Sequence, residues 1–415
     1  MDHRREGVEY QARLIPASTP ATSQRKSSPD QPKARMNKPP AAAVPVDGHC
    51  NPRFAAVRQA LEDNMAAGEE VGCAVAVTID GQTVVDLWAG YQDKARTRPW
   101  AADTITDMKS VGKSVYALNI LRLVGQGTVA LDAPVARYWP EFAQSGKETV
   151  TVRHLLGHLA GLPYPDSAPI GSLYEPGVLK KALEVQAPEW PPGTQACYHS
   201  FTFPPLCAEF LRQVTGRSPG DIHRDAIADP LGAEYWLGLT DEQQKLCADY
   251  LETPGTPSLE GMKRNTESPL YRAWRPLPRD EDYNSPDWRR YAGHGNARGM
   301  ARIYAALACG GTLGGYEVVH RDVLAEATQQ GGWEGMDFMT RRPFSMGLGF
   351  MRAGPAFFIG QGARNFGHPG MGGAIAFADP DRRMSFSYSP NRMSPVADTG
   401  PWAGALIAAT YASLA

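Results

Sequence analysis

Residues 72–88 read GCAVAVTIDGQTVVDLW. An apolar run over 72–79 meets Asp80-Gly81, and a second run follows over 83–88. Two such runs around an Asp-Gly pair predict a β-hairpin, because that dipeptide tolerates the left-handed backbone a two-residue turn demands. A second hairpin pattern lies near the other end of the chain: GAIAFA over 373–378, the turn Asp379-Pro380-Asp381, and MSFSYS over 384–389. Between the two, apolar residues recur at helical spacing in 110–126, 151–158, 205–215 and 297–309. Phe54, Val57, Leu61 and Met65 mark a helix over 53–67, and the Ala-rich segment at about 402–414 predicts a helix packed on the sheet. The predicted class is α+β: an antiparallel sheet built from both chain ends, flanked by helices, with a mostly helical insertion. The sheet-bearing part is expected at about 48–115 and 300–415, and the helical part at about 116–299.

Composition narrows the function. A chain of 415 residues with 42% hydrophobic and 21% charged residues buries a full core without staples. A formal net charge of −2 supplies no basic field for nucleic acid, and no apolar run reaches the ~18 residues of a membrane span. No nucleic-acid or membrane partner is expected, and the oligomeric state is not encoded legibly. The six cysteines form no C-x-x-C pair, which predicts buried free thiols in a reducing compartment, the cytoplasm. The absence of an apolar signal core agrees. Residues 1–47, rich in Pro, Ala, Ser and Gln, are expected to be disordered, with order beginning near Asn51 and Met36 as an alternative start. Residues 253–292 are Pro-rich and charged and read as a long surface excursion.

Three short patterns carry chemistry. Ser110-Val111-Gly112-Lys113 opens a helical stretch, with Val111, Val115, Leu118 and Leu121 on its apolar stripe and Thr106-Asp107 as capping candidates. Serine and lysine three apart share a helix face, where a desolvated amine can take the serine proton. Tyr198-His199-Ser200 follows a Pro/Gly-rich loop, and a tyrosine held beside that pair can pass the proton to a leaving group. His368-Pro369-Gly370 leads into the last hairpin, where the N–H of Met371 could face an oxyanion.

In this order the three patterns resemble the serine β-lactamase/penicillin-binding-protein superfamily: S-x-x-K, then Y-x-N/S, then K-T-G or H-x-G. The flavour is that of class C β-lactamases and family VIII carboxylesterases. TVRHLLGHLAGL over 151–162 is similar to a helix and turn of that family, and Val214-Thr215-Gly216 and Pro230-Leu231-Gly232 match its helix ends. The likeness spans about residues 50–410. It implies a β-lactamase-like fold and an acyl-enzyme on Ser110, with Lys113 and Tyr198 as the proton-transfer pair. It leaves open which of the two is the acylation base. It also implies an oxyanion hole from the N–H groups of Ser110 and Met371, and a pocket shaped by His368 and Gly370. Tyr164 sits where family VIII esterases place a pocket tyrosine, and no metal or cofactor is required. Three positions depart from the pattern: Gly112 replaces a usual Ser or Thr, Ser200 replaces the Asn of β-lactamases, and His368 replaces the lysine that grips a β-lactam carboxylate. The last moves the expectation toward a carboxylesterase acting on short- to medium-chain acyl esters. A β-lactamase or D-alanyl peptidase, an acyltransferase and a non-catalytic scaffold are the alternatives.

Other matches are decoys. Gly216-Arg217-Ser218-Pro219-Gly220 satisfies G-x-S-x-G, but a helix precedes it and Pro219 lacks the N–H an oxyanion hole needs. His154 and His158 have metal-like spacing without the glutamate of H-E-x-x-H and are expected to be structural. Ser23-Gln24-Arg25-Lys26 and Tyr283-Asn284-Ser285 repeat two of the catalytic patterns in unsuitable settings, and His294 is a candidate pocket residue.

Overall fold

A computed structural model describes residues 44–68, 70–175, 177–253, 269–278, 282–354, 359–394 and 399–415. Strands β1 (Val46–Cys50), β2 (Gly72–Ile79) and β3 (Gln82–Gly90) come first. Short strands β4 (Thr106–Asp107), β5 (Tyr235–Leu237), β6 (Gly293–Gly295), β7 (Thr312–Leu313) and β8 (Tyr316–Glu317) follow. The chain then forms β9 (Trp333–Met336), β10 (Pro343–Met346), β11 (Met351–Arg352), β12 (Phe366–Pro369), β13 (Ile375–Asp379) and β14 (Met384–Pro390). Nine of these make one antiparallel sheet in the order β1-β3-β2-β14-β13-β12-β11-β10-β9. Both expected hairpins are present. Asp80 and Gly81 have φ of 49° and 76°, the left-handed pair their turn requires.

Alternation along β2 and β14 explains how the sheet is covered on both faces. Cys73, Val75 and Val77 of β2 join Met384, Phe386 and Tyr388 of β14 beneath helices Ala55–Ala66 and Gly400–Ala412. Ala74 and Ala76 face the other way, packing with Ala297 and Ala301 of helix Ala297–Ala308. Ser385 on that face donates to Ala301 O at 2.8 Å. Small residues let this helix close on the sheet, while large ones fill the opposite core.

Two expectations about order need correction. The sheet begins at Val46, not near Asn51, because β1 pairs with β3 from Val46↔Ala89 to Cys50↔Val85; backbone bonds hold a strand with little apolar pattern. Residues 1–43, including the second S-x-x-K and Met36, lie outside the described residues. The 253–292 segment is not simply a surface excursion. Ala273, Leu277, Tyr283 and Trp288 are buried in it, and residues 254–268 and 279–281 lie outside the described part. All six cysteines are free; Cys50 and Cys309 are only half-buried.

Candidate active site

Helix Val111–Gly125 packs its Val111, Val115, Leu118 and Leu121 stripe into the core between the sheet and the helical part. Ser110 is its N-cap, with φ −65° and ψ −10°, and its hydroxyl makes no capping bond. That oxygen is left for Lys113, whose Nζ lies 2.9 Å from Ser110 Oγ. Lys113 is 5% exposed. Burial holds its amine down, to about 7, against the pull of the Cys207 thiol. An amine that sheds its proton near neutrality can accept one from serine.

Tyr198 completes the group. Its ring centroid is 5.0 Å from Lys113 Nζ, and its hydroxyl hydrogen-bonds Ser110. Burial pushes the phenol up against that bond, so it stays protonated as a donor. Its backbone N–H donates to Asp337 Oδ1. The buried Asp337 carboxylate also accepts from Thr340, from N–H at 2.6 Å and Oγ1 at 2.8 Å. No local pattern marks Asp337, which reaches Tyr198 across 139 residues of chain.

Two neutral histidines pack against the Tyr198 ring. His368 is 1% exposed, its Nδ1 donates to Pro369 O at 2.7 Å, and its ring lies 6.0 Å from that of Tyr198. Burial, then the charge of Lys113, pushes His368 down to about 3. His158 stacks on Phe203 at 4.3 Å and lies 5.1 Å from Tyr198; its Nδ1 accepts from His199 N–H at 3.0 Å. His154 is engaged elsewhere, in a capping box with Thr151.

A cavity of about 280 Å³ opens over Ser110. Ser110, Lys113, Tyr198 and Ser200 line its polar side; Phe201, Trp274, Trp288, Tyr291 and Met371 supply most of the apolar wall. The Ser200 hydroxyl has no described partner. Three residues expected to contact substrate do not line this cavity. His368 is buried beside Tyr198. Tyr164 is 3% exposed under the Arg272 guanidinium, 4.0 Å from its ring. Gly370 works by close approach: a Cβ there would lie 2.3 Å from Met108 O. That contact brings the turn after β12 against the approach to Ser110 and sets Met371 at the cavity. No described residue takes the N–H of Ser110 or Met371. His294, also considered, is buried beside the cavity in β6, where it pairs with Asp107. Ser218 caps helix Pro219–His223, accepting from Asp221 N–H at 3.1 Å.

The cavity's other end holds a cluster that the sequence reading missed. Asp107 is not a helix cap. It sits in β4, its Oδ1 accepting from Lys109 N–H at 2.8 Å and its Oδ2 from Lys109 Nζ at 2.5 Å and Trp288 Nε1 at 2.6 Å. Burial pushes this carboxyl up, but Lys109 and His294 outweigh it and hold it low. The ammonium of Lys109 lies 3.0 Å from the Tyr283 ring centroid and 3.8 Å from that of Tyr250. Lys109 has φ +53°, so the residue before Ser110 is pinned in a left-handed conformation. Tyr283 of the second Y-x-S pattern therefore serves as a cation's wall. Gly112 also finds its reason: a Cβ there would lie 2.3 Å from the hydroxyl of Tyr235, a fully buried residue of β5.

A protein-family model described as Beta-lactamase matches residues 57–410. The chain belongs to the beta-lactamase family. Within it, the chain is 31% identical over 375 residues to the esterase/beta-lactamase LipL of Mycobacterium tuberculosis, covering 87% of this chain and 86% of that protein. A penicillin-binding protein homologue from Caulobacter crescentus superposes with a TM-score of 0.82 at 38% identity, covering 89% of this chain and all of that one. A family VIII carboxylesterase structure superposes with the same TM-score at 34% identity and the same coverage. The fold is the beta-lactamase-like one of these neighbours, as the sequence resemblance implied. No described helix is long and apolar enough to cross a membrane.

Proposed function

We propose that this beta-lactamase-family hydrolase is a serine carboxylesterase of the family VIII type, cleaving short- to medium-chain acyl esters through an acyl-enzyme on Ser110. The observation that carries the reading is Ser110 Oγ at 2.9 Å from a buried amine, at the base of an apolar cavity. Ser110 Oγ bonds to the ester carbonyl carbon while its proton passes to the neutral Lys113 amine. The carbonyl oxygen takes the N–H groups of Ser110 and Met371. The C–O bond to the alcohol then breaks. Tyr198 protonates the departing oxygen and is reprotonated from Lys113. Water repeats the sequence on the acyl group and restores Ser110.

The cavity's charges favour an ester over a carboxylate-bearing β-lactam. His368, in the place of a gripping lysine, is neutral, and Lys109 is taken up by Asp107. The six free cysteines support a reducing, cytoplasmic setting. Hydrolysis of p-nitrophenyl butyrate by the protein and its Ser110→Ala variant tests the reading. Loss of several orders of magnitude in kcat is expected. Equal activity of the two would remove Ser110 as nucleophile. A chromogenic cephalosporin turned over as efficiently as the ester would shift the reading to β-lactamase, the other activity in LipL's name.

A further inference from the structure

A second cavity, of about 430 Å³, backs onto the one over Ser110. The two share three residues: Tyr116, Pro204 and Tyr291. Tyr116 stands on the Ser110 helix one turn beyond Gly112, Pro204 opens helix Phe203–Thr215, and Tyr291 ends helix Pro286–Tyr291. Both tyrosines are half-buried and near enough that the Tyr116 phenol helps push that of Tyr291 up, after burial. The ring of Tyr291 meets that of Tyr174, a residue of the outer cavity, edge-on at 5.8 Å. One thin wall of two phenols and a proline thus separates the two spaces.

The outer cavity has an apolar floor of Leu173, Leu179, Pro205 and Ala208. The cations on its rim are paired, Arg212 with Glu209 at 3.4 Å, Lys180 with Glu209 at 3.5 Å, and Arg290 with Asp287 at 3.2 Å; with Glu175, three cations face three anions there. A floor of this kind under a balanced rim suits an uncharged apolar chain rather than an anion. The acyl arm is the part of an ester that stays bound to Ser110 between the two half-reactions. The alcohol must leave, so a chamber reached past a wall fits the arm that stays.

We propose that the Tyr116–Pro204–Tyr291 wall is a chain-length gate, and that the outer cavity is a second acyl subsite for the distal methylenes of chains too long for the inner one. This rests on the ester-hydrolase reading above. With the gate shut the inner cavity limits the enzyme to short and medium acyl groups; displacement of the Tyr291 ring joins the two spaces.

The test is a p-nitrophenyl ester series from butyrate to dodecanoate. Tyr291→Ala is expected to raise the ratio of kcat/KM for decanoate to that for butyrate at least tenfold. Tyr291→Trp, which keeps the wall, should not raise it. Ala208→Trp, which fills the outer floor, should lower the ratio at least threefold in the native background and cancel the gain in Tyr291→Ala. An unmoved ratio in Tyr291→Ala overturns the gate, and butyrate hydrolysis by the native protein leaves the esterase reading standing. A gain that survives Ala208→Trp overturns the outer subsite. Should Tyr291→Ala not fold, the Ala208→Trp ratio alone decides. Butyrate esters of lengthening alcohols are the counter-series: a shift there instead assigns the space to the leaving group and overturns the proposal. A native protein inactive on every ester length removes both readings together.

Discussion

Lys109 and Lys113 line one cavity on either side of Ser110, and their side chains are almost closed to solvent, but they meet opposite surroundings. Lys109 has a carboxylate at 2.5 Å and aromatic faces at 3.0 and 3.8 Å. Lys113 has a serine hydroxyl, a tyrosine ring and a thiol, and no carboxylate among the described residues pairs with it. Burial alone discharges an amine; burial with an anion and π faces makes a seat for a cation. The lysine without a carboxylate partner is equipped for proton transfer. The lysine with one anchors the backbone from which Ser110 projects.

Exchanging these environments should break the contrast, and the effects fall in order. Lys113→Met should lower kcat on p-nitrophenyl butyrate at least roughly a thousandfold. Its melting temperature should not fall, since the change removes a buried amine with no ion pair. An equal kinetic loss in Lys109→Met would erase the distinction. Next, Asp107→Asn leaves Lys109 buried without its anion. Urea unfolding should show a loss of about 3 kcal/mol, as for a broken buried ion pair. A change within ~0.5 kcal/mol would mean that the aromatic faces suffice.

Gly112 lies between the two lysines and tests the packing that separates them. Gly112→Ser should cost about 2 kcal/mol by overpacking against Tyr235, and Tyr235→Phe in the same chain should recover about half. Additive losses in the double variant would deny the contact. The smallest effect is in pH. The neutral Lys113 amine is the active form, so kcat/KM should be level above about 7 and fall about tenfold per unit below it. Cys207→Asp gives Lys113 the carboxylate it lacks and should move that acid limb upward by about one unit, or 1.4 kcal/mol. An acid limb that does not move would assign it to another group.

What could be read from the sequence follows the same division. The Lys113 side is written locally: Ser110 and Lys113 are one helical turn apart, and the residues of each hairpin are contiguous with its turn. Tyr198 was legible too, as a tyrosine motif between a Pro/Gly-rich loop and a helix, and the structure brings it to that pair. The Lys109 side is assembled from afar. Trp288 lies 181 residues from Asp107, and neither carries a periodic signal. Proline and charge made the segment around Trp288 look solvated, yet its aromatic residues cover a cation. Asp337 was illegible for the same reason. Gly370 was legible as a glycine needed at a site, but its close approach to Met108 O was not.

The ladder between β2 and β14 has a consequence in time. It joins Cys73 to Pro390 and Ile79 to Met384, so two central strands of the sheet come from opposite ends of synthesis. Until residue 390 leaves the ribosome, β2 has one of its two neighbours missing, and of the two helices over Val75 and Val77 only Ala55–Ala66 has been made. Met371 and the turn that Gly370 presses against Met108 are absent for nearly as long. Closing so large a loop makes this slow, non-local folding. A ribosome-bound chain stopped before β12 would carry Ser110 and Lys113 without Met371 on the far side of their cavity. Hydrolytic competence therefore waits for residues 371–390, and a chain cut short before them is released without it.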